Sequence, residues 1–218
     1  MYNLVMKDIK LGVHPLFFAM PLLTGALMLI PGWIYFIVLL YFCWITVPNM
    51  FNQFRSQNDL MFTSMMPVTK RDIVRARVTL VAGLELLHIG IAMIFGLVTL
   101  RLYPNFDYYF FPPNLGFWGL CFVMLAIFNL IFIPMYYKTA YKIGAAILYS
   151  ITAAMLFAGI VQWIGIQSPV LSGIFYGTDA HSRGLQTCIL IGGIVIFFAL
   201  TAIAYRIGVK RFLQVEIQ

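Results

Sequence analysis

The sequence predicts an all-α integral membrane protein. Six transmembrane helices are expected, with an amphipathic interfacial helix before them and a short cytoplasmic helix between spans 2 and 3. Three observations carry this reading. Charged residues make up 10% of the 218 residues and apolar ones 62%, at mean hydropathy +0.94, where soluble domains carry about 25% charged residues. The apolar residues gather in runs near 16–30, 33–51, 78–100, 117–137, 143–164 and 185–205, close to the roughly 20 residues that a bilayer core requires. The basic residues lie almost entirely between alternate runs.

Residues 1–14 place Asn3, Lys7, Lys10 and His14 on one polar stripe, with Tyr2, Val5, Met6, Ile9 and Val13 filling much of the rest. That pattern predicts a helix lying in the interface with its lysines snorkelling to water. Pro15 ends it, and Leu16–Ile30 forms a short first span. A cleaved signal peptide is the alternative, but only Pro31-Gly32 precedes the next run, which disfavours it. Trp33–Phe51 is the second span.

Phe54–Val78 follows and holds five of the 14 basic residues: Arg55, Lys70, Arg71, Arg75 and Arg77. Asn58–Met66 has the length of about two helical turns before Pro67 interrupts it. Thr69 with Asp72 three residues on is a capping-box arrangement that starts the next helix. Leu60, Met61, Phe62, Met65 and Met66 give the short helix more apolar surface than a solvated loop needs. Two readings stand: a flexible, methionine-rich face for a partner's groove, or an interfacial loop whose basic residues sit by lipid phosphates.

Val78–Leu100 is the third span. Residues 101–116, rich in proline, tyrosine and phenylalanine, form a far-side loop suited to the headgroup level. Phe117–Tyr137 and Ile143–Ile164 are the fourth and fifth spans, joined by a turn with Lys138 and Lys142. Ser150, Ala154 and Ala158 recur at every fourth residue, either as a close-packing stripe or because alanine is common in membrane helices. Residues 165–184 make a second far-side segment. Leu185–Tyr205 is the sixth span, and a basic tail follows. Twelve of the 14 Lys and Arg fall on the side of the N-terminus, leaving Arg101 and Arg183 opposite. By the positive-inside rule both termini lie in the cytoplasm of a multi-pass cell-membrane protein, and the net charge of +7 is no nucleic-acid footprint.

Motifs for chemistry are sparse. The chain carries no GxxxxGK[ST] phosphate loop, no GxSxG and no HExxH. Cys43, Cys121 and Cys188 all lie in apolar runs and imply neither a disulfide framework nor a metal site. Glu85 and His88 share one face of the third helix. They are a polar gate on a transport path, or a local pair satisfied near the interface. No other acid lies in a span, which disfavours a proton relay, a membrane protease and other membrane-embedded enzymes.

The stretch Asn58 to Arg77, NDLMFTSMMPVTKRDIVRAR, resembles the loop of ABC-2-type transporter permeases. It is similar in particular to the small six-span permeases of Gram-positive bacteria that work with a separate ATPase, such as exporters of phenol-soluble modulins. Met66-Pro67-Val68 stands where that group has Leu-Pro-Val or similar, and Asp72-Ile73-Val74 with Ala76-Arg77 matches its following run. The resemblance implies that Asn58, Asp59, Leu60, Met61, Phe62, Met65 and Met66 belong to a coupling helix docking on the ATPase, and that residues 1–14 are an elbow helix. It implies an exporter of amphipathic or antimicrobial-type peptides. No cofactor is expected in this chain, ATP and Mg being bound by two copies of a partner subunit. A second permease chain, identical or homologous, and membrane lipid are the other expected partners. The substrate-capturing subunit of a vitamin importer is the alternative of similar span number.

Overall fold

The computed structural model describes residues 2–139 and 142–215, and among them all regular structure is helical. Helix α1 spans Tyr2–Gly12 and α2 Leu16–Gly25, which continues as a 3-10 segment over Ala26–Leu29. Helix α3 (Phe36–Tyr41), a π segment (Phe42–Thr46) and α4 (Val47–Ser56) run on as one apolar helix of 21 residues. Helix α5 is Asp59–Ser64, α6 Lys70–Leu102, α7 Leu115–Thr139, α8 Gly144–Gln167, α9 Pro169–Tyr176 and α10 Ala180–Leu213.

Five of these helices, counting α3 to α4 as one, are long and apolar enough to cross a membrane; Leu16–Leu29 is shorter. At standard rises its ten α and four 3-10 residues extend about 23 Å, less than the ~30 Å of a bilayer core. The helix nonetheless follows α6 toward its far end. Thr24 Oγ1 lies 3.2 Å from His88 Nε2, and Thr99 Oγ1 donates to Met28 O at 2.7 Å. The turn after it needs Gly32, whose φ is +76°, a region closed to most side chains. In the second crossing, Pro48 has no N–H to give. The preceding π turn absorbs this, with the Val47 N–H reaching back to Phe42 O.

Helix α7 is the centre, burying Phe117, Trp118, Phe122, Phe128, Phe132, Tyr136 and Tyr137. It lies along α10 and beside α8. At the crossing with α10, Gly119 and Gly193 meet backbone to backbone: a Cβ on either would overlap main-chain atoms of the other helix. The buried residues of α8 (Ala146, Ser150, Ala154, Ala158, Gln162 and Gly165) recur at threes and fours. The small-residue stripe therefore faces the inside of the chain, while Leu148, Leu156, Ile160 and Trp163 face out.

The far side is more ordered than a pair of loops. Phe111 stacks on Phe175 of α9 at 4.3 Å, against Gly165, so this aromatic is buried within the protein. Asn114 donates to Phe175 O, and Gln186 Nε2 to Ile174 O at 2.7 Å. The segment 165–184 is thus mostly helix, and α10 starts at Ala180, capped by Asp179, which accepts from Ser182 N at 3.1 Å.

Gly119→Leu or Gly193→Leu should overpack the α7–α10 crossing and cost about 1–3 kcal/mol or more, lowering the melting temperature of the purified protein by several degrees. Gly192→Leu is the matched control, because nothing lies within 4 Å of its Cβ position.

Candidate functional site

The basic ends of the helices meet at one end of the molecule. There Arg77, in the second turn of α6, is buried at 1% exposure and Asp59, the first residue of α5, at 2%. The Arg77 guanidinium donates from Nη2 to Asp59 Oδ2 and from Nη1 to the Tyr136 hydroxyl of α7 at 3.2 Å. Its plane sits over the Phe54 ring of α4, with Cζ 4.0 Å from the centroid, a desolvated cation–π contact. Asp8 of α1 approaches Arg77 Nε at 3.7 Å.

Lys7 completes the cluster. Its Nζ is 2.5 Å from Asp59 Oδ1, 3.0 Å from Asp8 Oδ1 and 2.7 Å from Thr63 Oγ1. The sequence expectation that Lys7 snorkels to water is corrected here. Leu4 and Asp8 turn inward one helical turn apart, and Lys7 bends with them because two carboxylates without a cation beyond Arg77 would not stay charged when buried. Burial pushes the Asp8 carboxyl above its ordinary value, while Arg77 and then Lys7 pull it down. Two cations and two anions thereby join α1, α4, α5, α6 and α7 without excess charge.

Helix α5 has two faces. Asp59, Leu60 and Thr63 point inward; Met61, Phe62 and Met65 point outward at 45%, 60% and 72% exposure. Asn58 is exposed and takes the left-handed conformation (φ 50°, ψ 34°) that turns the chain from α4 into α5. Asparagine tolerates this better than most residues. Met66 is half-buried beyond the helix. So, of the seven residues assigned to the coupling helix, three form its outer apolar face and Asp59 and Leu60 form its attachment. At the start of α6, Thr69 caps the helix, its Oγ1 accepting from Asp72 N at 3.2 Å and donating to Asp72 Oδ2 at 2.6 Å.

Glu85 and His88 are both buried and, among the described residues, make no ion pair with each other. Glu85 Oε2 accepts from Asn129 Nδ2 of α7 at 2.7 Å, and the same amide lies 3.3 Å from Thr201 Oγ1 of α10. His88 Nε2 instead meets Thr24 at 3.2 Å and Val38 O at 3.0 Å, beside the Phe42 ring that opens the π segment. The two residues thus tie α6 to different neighbours. Sequence reasoning missed Asn129 and Thr201. An asparagine in the middle of a 25-residue apolar helix is the signal that was available, since such a group needs a partner across helices.

Removing one partner of a buried ion pair typically costs about 3–5 kcal/mol. Arg77→Gln, which leaves two carboxylates with one lysine, should lower the melting temperature more than Asp59→Asn, after which Asp8 remains beside Arg77. Lys7→Met should cost least, because Lys7 is partly exposed. The melting temperatures of the three purified variants check that order.

No curated protein and no solved structure matches the chain. A family model described as ABC-2 family transporter protein matches residues 3–212, taking in α1, every apolar helix and the ion cluster. The chain belongs to the ABC-2 transporter family.

Proposed function

We propose that this chain is the permease subunit of an ATP-driven exporter, and that α5 is the element through which a separate ATP-binding subunit drives it. The observation that carries this reading is the division of α5 into an outer face of Met61, Phe62 and Met65 and an inner face bonded to Arg77. A surface that binds the ATPase has to be apolar and open. A surface that transmits its motion has to be fastened to a span. Asp59 fastens this one to α6, so displacement of α5 is passed to the third crossing and, through Lys7 and Asp8, to α1. ATP and Mg belong to the partner, of which two copies would act on a pair of permease chains. Both termini are taken as cytoplasmic, supported by the placement of twelve of the 14 basic residues.

The cargo reading is amphipathic peptide. Between the α3–α4 crossing and α8 lies a groove of ≈ 470 Å³ lined by Phe36, Leu40, Trp44, Met155 and Trp163. Gln162 in its wall has a buried Nε2 with no protein partner. Largely apolar walls with a buried, unpartnered amide donor suit a helix that is apolar along one side and polar along the other. A second permease chain facing this groove would close the path.

The test is co-purification with the ATP-binding subunit. Burying Phe62 and Met65 contributes about 1.5–3 kcal/mol each, so Phe62→Asp with Met65→Asp should weaken the complex at least about a hundredfold. Membrane insertion should persist, as the spans and their flanking charges are unchanged. A variant that retains the ATPase and transports at the parent rate would overturn the assignment.

A further inference from the structure

We propose that the basic groove between the start of α6 and the end of α10 binds the phosphate of an anionic membrane lipid. The groove, ≈ 390 Å³, is lined by Arg71, Tyr205, Arg206, Val209, Lys210 and Leu213. It exists because α10 packs closely on α6 here: Val74 Cγ1 is 3.7 Å from a Cβ position on Gly208, and Lys70 Nζ lies 5.7 Å from the Phe212 ring centroid.

The cations at this end divide into two sets. Lys70 donates to Val215 O at 2.7 Å and Arg211 to Pro134 O at 2.9 Å, so both are held by the fold. Arg71, Arg206 and Lys210 are exposed and, among the described residues, have no hydrogen-bond or ion-pair partner. The acid beside Arg71 in sequence, Asp72, accepts the Thr69 hydroxyl. Three uncommitted cations thus converge on one concave site, an arrangement with the chemistry of a phosphate receptor.

The floor of the groove argues for a lipid. Val209, Leu213 and the Tyr205 ring are apolar, and on α10 the stripe Ile203, Ile207, Lys210, Leu213 recurs at fours and threes. Ile203 and Ile207 are exposed. An acyl chain lying along that stripe would leave its headgroup among Arg206, Lys210 and Arg71, at the depth where a basic helix end leaves the hydrocarbon. Basic pockets between membrane helices bind anionic headgroups in this way. An acidic protein surface would use the charges and leave the apolar floor unfilled. Which leaflet is involved rests on the orientation proposed above; the site itself does not.

The test is native mass spectrometry of the full chain in detergent, titrated separately with phosphatidylglycerol and with phosphatidylcholine of the same acyl chains. At about fivefold per cation, three cations should make one phosphatidylglycerol bind at roughly a hundredfold lower concentration than phosphatidylcholine. Arg71→Gln with Arg206→Gln and Lys210→Gln should abolish the preference. Lys10→Gln with Arg55→Gln and Lys138→Gln, the same change in charge elsewhere, should keep it. Equal binding of the two lipids by the unmodified chain overturns the proposal even if the triple variant does not fold. So does displacement of phosphatidylglycerol by equimolar inorganic phosphate, which would mark a free-anion site. Loss of the ATP-binding subunit from the first triple variant, with its lipid preference intact, overturns it in favour of a protein-docking surface.

Discussion

The attachment of α5 at the basic end of this protein depends on how three buried charges and a partly exposed Lys7 balance one another. Arg77 and Asp59 are almost fully buried, a state too costly for either alone. Lys7 and Asp8 come from the N-terminal helix α1 to balance them. Helix α5 has six residues, too few to be stable as an isolated helix in water. Its position is therefore a property of the cluster, with Leu60 packing beneath it. Exchange of a buried ion pair for well-packed apolar groups is often neutral in energy. What the charges add is direction: a guanidinium with Asp59, Tyr136 and Phe54 around it fixes α5 in register with α6.

A second polar layer crosses the interior of the bundle. Asn129 reaches Glu85 on one helix and Thr201 on another, while His88 bonds across to Thr24 of α2 and to Val38 O of α3, just before the π segment of the second crossing. Helix α6 carries both layers and so links the basic end to the centre. A π turn beside a proline is a natural place for a membrane helix to bend. Here it adjoins both His88 and, at Trp44, the apolar groove.

The class, the five long apolar helices and the cap at Thr69 are legible in the sequence because each rests on local pattern: hydropathy over about 20 residues, or a threonine three residues before an aspartate. The short helix after the second crossing was legible for the same reason. Its inner and outer faces were not. Nothing local in the sequence separates Asp59 from the methionines or says which side of a six-residue helix is inward; that is decided by Arg77 and by Lys7, 18 and 52 residues away. Lys7 itself sits on a stripe that reads as solvent-facing until Asp59 is set opposite. The far-side segment was missed differently: Pro169 and the nearby glycines resemble loop punctuation, yet Pro169 opens α9 and Phe175 earns its helix by stacking on Phe111.

The central claim is that a buried ion cluster, and not the intrinsic preference of its sequence, holds α5 on α6. Amide hydrogen exchange over residues 58–66 tests it most directly, comparing the unmodified protein with Arg77→Gln. The account predicts that protection of α5 is lost in the variant while α7 and α10 exchange as before. Unchanged protection of α5 in a folded Arg77→Gln protein would contradict it.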